Sequence, residues 1–129
     1  MSDGLQATIL VVDDHEPSRD LAREILEYRG FRVAEAGSMD EALAAMGSES
    51  IDLVVMDLRF PGGGGEALLR KLRENDRDAR LPTIAVTGYA MKGDRERVLS
   101  LGFDDYVSKP IDTDKFADLV ASHVARRRR

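Results

Sequence analysis

Hydrophobic positions along the chain change period repeatedly. Thr8-Ile9-Leu10-Val11-Val12 is a short, continuous, β-branched run, the pattern of a strand buried on both faces. It stops at Asp13-Asp14, and Pro17 then suits the first turn of a helix. Leu21, Ile25 and Tyr28 recur at helical spacing, with Ala22 and Leu26 beside them, until Gly30 ends the helix. Phe31 to Ala36 reads as a second strand. Ser38 is a good helix cap, with Glu41 three residues on as in a capping box. The helix it opens carries Ala42, Leu43 and Met46 and ends at Gly47. Leu53 to Met56 is a third buried strand, and it too ends on a carboxylate, Asp57.

Pro61 and four glycines, Gly62 to Gly65, follow as a segment expected to be too flexible for regular structure. Leu68, Leu69 and Leu72 mark a further helix. Pro82 precedes a strand over Thr83 to Thr87, and Val98, Leu99 and Leu101 lie in the next helix, closed by Gly102. Asp105 to Ser108 is a fifth strand running into Lys109-Pro110. Phe116, Leu119, Val120 and Val124 then sit on one face of a last helix. Five strands alternating with five helices imply βαβ crossovers and a parallel sheet. Strands that do not alternate require both faces covered. The expectation is one doubly wound α/β domain over residues 1–129, with its core from about 8 to 125 and a basic tail over 126–129.

Composition narrows the class. A 129-residue chain that is 43% hydrophobic and 33% charged suits one soluble globular domain that needs no covalent staple. The chain has no cysteine, which rules out disulfides and thiolate metal sites. The acidic start Met1-Ser2-Asp3-Gly4 is no signal peptide, and no apolar stretch approaches the ~20 residues of a membrane helix. A cytoplasmic location without membrane contact is expected. A net charge of −5 argues against a nucleic-acid footprint over the whole surface, and Arg126 to Arg129 read first as a solvated complement to a helix end.

Parallel sheets bind ligands beyond the carboxyl ends of their strands. There the first strand delivers Asp13 and Asp14, the third Asp57, the fourth Thr87 and the fifth Lys109. Each has an ordinary alternative: an aspartate after a strand is often a helix cap or turn former, a lysine is usually solvated, and a threonine is a good β-former. Their joint placement at one end of separate strands is harder to dismiss. Two like charges ~4 Å apart at an effective dielectric near 20 cost about 4 kcal/mol. Three carboxylates therefore call for a raised pKa or a cation, and Lys109 neutralises only one. A hard divalent ion such as Mg²⁺ is the economical partner. Beside it a carboxylate can attack phosphorus, aided by Lys109, Thr87 and backbone N–H groups near Leu58, Arg59 and Gly88.

These motifs closely resemble the receiver domains of two-component response regulators. The resemblance rests on Asp13-Asp14, on Asp57 followed by Pro61 and Gly65, on Thr87-Gly88 and on Lys109-Pro110, and it spans Ile9 to about Val124. It implies a flavodoxin-like strand order 2-1-3-4-5. It further implies that Asp57 takes a phosphoryl group from a histidine kinase or histidine phosphotransfer protein. Asp14, Asp57 and the Arg59 backbone carbonyl would bind Mg²⁺, with Asp13 acting through water. Thr87 and Lys109 would hold the phosphoryl oxygens, Lys109-Pro110 would be cis, and Tyr106 would be the switch aromatic. Downstream proteins would dock on the face of the fourth helix, fifth strand and fifth helix. The alternative for Tyr106 is a half-buried strand residue with its hydroxyl in water. Phe60 stands where many relatives carry Met, and Arg59 and Tyr89 occupy positions that tune phosphoryl lifetime in the family.

The preferred reading is a stand-alone receiver that signals by protein contact, without direct DNA binding and without a turnover substrate of its own. Two others compete. A pseudo-receiver that never takes phosphate is opposed by the intact set Asp14, Asp57, Thr87 and Lys109. A metal-dependent phosphohydrolase would need a positioned general acid, yet Arg59 stands where a second carboxylate is wanted.

Overall fold

The computed structural model describes residues 6–75, 78–88 and 93–127. The apolar runs become strands β1 (Thr8–Val12), β2 (Arg32–Ala36), β3 (Leu53–Asp57), β4 (Thr83–Thr87) and β5 (Asp105–Ser108). Between and after them lie helices α1 (Glu16–Tyr28), α2 (Met39–Ser48), α3 (Gly64–Glu74), α4 (Asp94–Ser100) and α5 (Thr113–Arg127). All strand pairs are parallel, in the order β2-β1-β3-β4-β5. The fold is the flavodoxin-like one.

The missing alternation has a direct cause. Successive residues of β1 feed opposite cores: Leu10 and Val12 join Met39, Leu68, Leu72 and Val98 on one face of the sheet. Ile9 and Val11 join Leu26, Phe116 and Val120 on the other. The inner strands therefore carry apolar side chains in succession, with polar residues only at their ends, at Thr8, Asp57, Thr83 and Thr87. Full burial of one such Leu, Ile or Phe contributes about 1.5–3 kcal/mol. The edge strands β2 and β5 are only partly buried, as their one-sided pairing requires.

Helix ends follow the local chemistry. Gly30, with φ 92°, ends α1: its N–H donates to Glu27 O and Phe31 N–H to Leu26 O, the six-to-one and five-to-two pattern of a left-handed cap. Ser38 Oγ accepts from Glu41 N at 3.2 Å, while Glu41 Oε1 accepts from Gly37 N, one residue earlier than in a strict capping box.

Three expectations are corrected. The buried stripe of α1 is Ala22, Ile25 and Leu26, whereas Leu21 is 47% and Tyr28 91% exposed. Helix α2 runs through Gly47 to Ser48. Gly64 and Gly65 are the buried first turn of α3 and not part of a free loop, because a side chain at either would strike the backbone of 57–58. At the C-terminus, Arg126 and Arg127 are helical, within the last turn of α5.

Candidate functional site

Strand register sets the site. Val12 is level with Met56, Asp57 with Val86, and Thr87 with Ser108. Asp13, Asp57, Thr87 and Lys109 thus follow one another across the carboxyl edge. Asp13 N–H extends the ladder to Ala36 O, and Lys109 N–H donates to Thr87 O at 2.8 Å. The Lys109-Pro110 bond is cis.

Each central carboxylate divides its oxygens between a backbone amide and the same ammonium. Asp57 Oδ1 accepts from Arg59 N at 2.8 Å and Oδ2 from Lys109 Nζ at 2.7 Å. Asp13 Oδ1 accepts from His15 N at 2.9 Å and Oδ2 from Lys109 Nζ at 3.1 Å. Asp13 is buried, Asp57 half-buried, and Asp14 exposed. Burial alone would draw the Lys109 ammonium down, but the hydrogen bonds and charges of Asp57 and Asp13 outweigh it and raise its pKa. Thr87 is buried beside this group.

Three carboxylates and one ammonium leave an excess of negative charge facing solvent at Asp14. The donors are all oxygen, so a cation held here is a hard one. Among the described residues no three His, Cys, Asp or Glu side chains converge into a metal cage. Any ion therefore relies on few carboxylates and fills its shell with carbonyl oxygen and water, which is the habit of Mg²⁺. The residues fit that ion.

Of the ordinary readings of these aspartates, helix cap is not what the geometry shows, whereas turn former is met at Asp13, whose Oδ1 accepts from the N–H two residues on. His15 caps α1, its Nδ1 accepting from Ser18 N at 3.3 Å and lying 2.7 Å from Ser18 Oγ. Asp13 and Asp14 are left free of that duty. Arg19 Nη1 donates to Asp13 O and its Nε to Glu35 Oε1, tying α1 to the edge. Neither His15 nor Arg19 stood out in the sequence. The Ser three residues after His15 was the only signal, and a mid-helix arginine carried none.

Tyr106 packs half-buried against the core cluster that contains Val98 and Met56. Its hydroxyl is buried and has no hydrogen-bond partner among the described residues, so the reading of a hydroxyl in water does not hold. Burial, with Asp94 nearby, raises the phenol against a smaller opposing effect of Arg97. Next to it, Asp105 accepts from His123 Nε2 at 3.0 Å and from Arg95 Nη1 at 3.2 Å, linking β5 to both α5 and α4. That link was missed, although His123 falls on the buried face of α5 one position before Val124. Tyr89 lies outside the described residues, as do Arg128 and Arg129. Among the described residues no helix is long and apolar enough to cross a membrane.

Comparison with known proteins agrees with this geometry. A family model of the response regulator receiver domain matches residues 9–121. The polar-differentiation response regulator DivK of Brucella anthropi is 32% identical over 117 residues, spanning 91% of this chain and 95% of its own. An uncharacterized 14.6 kDa protein of Leptolyngbya boryana is 40% identical over 118 residues, 92% of this chain and 90% of its own. Among solved structures, the receiver domain of the Francisella response regulator 1452 superposes with a TM-score of 0.85 at 26% identity, covering 94% of this chain and 98% of that one.

Proposed function

The chain belongs to the response regulator receiver domain family of two-component signalling, and from that premise we propose that Asp57 is its phosphoacceptor. The observation that carries the reading is the division of the Asp57 carboxylate: one oxygen is fixed by Arg59 N–H, and the other rests on the ammonium it shares with Asp13. An Asp57 oxygen forms a bond to phosphorus as the P–N bond of a partner's phosphohistidine breaks, and the imidazole leaves with the bonding pair. Lys109 then exchanges its carboxylate contact for a phosphoryl oxygen, and the Thr87 hydroxyl donates to another. Electrostatic positioning of this kind is what phosphoryl transfer chiefly needs.

Asp14, Asp57 and the Arg59 carbonyl would hold Mg²⁺, with Asp13 behind a water. The ion, when bound, neutralises charge on the transferring group. The histidine kinase or phosphotransfer protein is the donor. Tyr106 serves as the switch: movement of Thr87 toward the phosphoryl group changes the space beside the ring, and the face of α4, β5 and α5 presents the result to a downstream protein. Supporting this is the orphaned, buried Tyr106 hydroxyl, which gains by any arrangement that finds it a partner. The net charge of −5 favours output by protein contact over DNA binding.

Intact-protein mass after incubation with acetyl phosphate and Mg²⁺ tests the reading. Addition of one base-labile phosphoryl group, absent in Asp57→Asn, is expected. A folded, Mg²⁺-binding protein that gains no mass overturns it in favour of a phosphate-independent interaction module.

A further inference from the structure

The opposite edge of the sheet holds a second concentration of charge. A cleft of about 570 Å³ opens where β4 and β5 begin and α5 ends, lined by Arg80, Pro82, Asp104, His123, Arg126 and Arg127. Its volume is in the range of small-molecule sites, about 300–1,000 Å³. Arg80, Arg126 and Arg127 are exposed, and no ion-pair partner is found for any of them among the described residues. The only acidic member of the lining is already engaged. Asp104 accepts from Arg73 Nη2 at 3.3 Å, from Thr83 N at 2.8 Å and from Thr83 Oγ1 at 3.3 Å. Arg73 is in turn held by Leu81 O and Gly102 O, so it offsets Asp104 without leaving its own place. His123 closes one wall with Nε2 bound to Asp105.

Three guanidiniums that have no ion-pair partner among the described residues line one concavity, in a chain whose net charge is −5. Carbonyls at the end of α5 account for basic residues in its last turn, but Arg80 belongs to no helix and faces the same cleft. We propose that this cleft binds a small molecule carrying two or more phosphate groups. Guanidinium forks match phosphate oxygens pairwise, and the cleft has room for more than one such group. A long polyanion fits less well, because the three arginines line a single hollow. Beyond that hollow an acidic protein repels the rest of the strand. The site is at the far edge from Asp57 and does not depend on its phosphorylation.

Isothermal titration of the full chain with inorganic tripolyphosphate, in Mg²⁺-free buffer, tests this. One saturable site is expected, weakened about tenfold or more by Arg80→Ala and by the pair Arg126→Glu with Arg127→Glu. Asp57→Asn and Arg70→Glu, an exposed arginine on α3 paired with Glu66, should leave the affinity unchanged. Absence of saturable binding overturns the proposal, as does an equal loss in Arg70→Glu, which would mean unspecific charge attraction. Tight binding of a single-stranded oligonucleotide that tripolyphosphate cannot displace would also overturn it and assign the edge to nucleic acid. Circular dichroism of each variant separates lost binding from lost fold.

Discussion

Both edges of the sheet are lined with aspartates, yet those aspartates do opposite work. At the amino edge, Asp52 accepts from Thr8 N and Asp104 from Thr83 N, each at 2.8 Å. There the N–H of the first residue of a strand is taken up by the carboxylate that stands just before the neighbouring strand, Asp52 before β3 and Asp104 before β5. At the carboxyl edge the strands end in carbonyls, which cannot donate. Asp13 and Asp57 find one amide each in the turn that follows and must share Lys109 for the rest. An amino-edge carboxylate is thus finished by folding, while a carboxyl-edge carboxylate is left in want of positive charge. The same residue type is structural at one end and reactive at the other because its partners differ: a strand's own first N–H at the amino edge, and one turn amide with a shared ammonium at the carboxyl edge.

Glycines separate the edges most sharply. Gly30 at the amino edge and Gly64 at the carboxyl edge both have positive φ, 92° and 68°. A Cβ on Gly30 meets nothing within 4 Å, but one on Gly64 would strike Leu58 O. Gly30→Ala should cost about 1–2 kcal/mol, the backbone cost alone. Gly64→Ala should cost about 2–4 kcal/mol, since the turn after Asp57 must also move. Urea unfolding measures both. Equal losses would mean that the 58–64 turn yields freely and is not part of what holds Asp57 in place.

Truncating the aspartates themselves inverts the outcome. Asp104→Ala strands the Thr83 N–H, in a residue that is 0% exposed, and should cost about 1–3 kcal/mol while phosphoryl addition proceeds. Asp57→Ala removes one of two carboxylates competing for a single ammonium. In metal-free buffer its stability should stay within about 1 kcal/mol of wild type or rise, while phosphoryl addition is lost. Should Asp57→Ala prove the more destabilising of the two, the carboxyl-edge cluster is a structural network and the contrast between the edges fails.

Much of this was legible in the sequence, for identifiable reasons. Strands buried on both faces write themselves as unbroken apolar runs, so β1, β3 and β4 are plain from Ile9-Leu10-Val11, Leu53 to Met56 and Ile84 to Val86. Strand ends then carry the polar residues of the site to one edge, and Asp13, Asp57, Thr87 and Lys109 do assemble there. Helix faces were less clear. In α1 the series Leu21, Ile25, Tyr28 and the series Ala22, Ile25, Leu26 are both helical, and only the packed sheet decides between them. Four consecutive glycines read as slack, yet two of them start α3 because nothing larger fits under the backbone of 57–58. The amino-edge contacts join residues as distant as Thr8 and Asp52, and no local pattern announces such a pair.

The two edges should also fail at opposite ends of the pH scale. Lys109 has a raised pKa, so its contribution is fully present below the ordinary lysine value of about 10.4 and is lost as pH rises through the raised one. At Asp105, which opens β5, burial alone would raise the carboxyl. The hydrogen bonds from His123 and Tyr106 N–H, together with Arg95, outweigh burial and lower it. Its contribution is present above the ordinary aspartate value of about 3.9 and is lost as pH falls through the depressed one. Tyr106, with its phenol raised by burial, adds to the alkaline loss, so the comparison is best made in a Tyr106→Phe background. There, urea midpoints in metal-free buffer should show Lys109→Met flattening the alkaline limb alone and Asp105→Asn the acid limb alone. These are the smallest effects of the set, because both groups keep access to water and solvent screens them. If Lys109→Met flattened the acid limb instead, the ammonium would not be what holds the carboxyl edge together, and the carboxylates there would have to be satisfied by each other's protons.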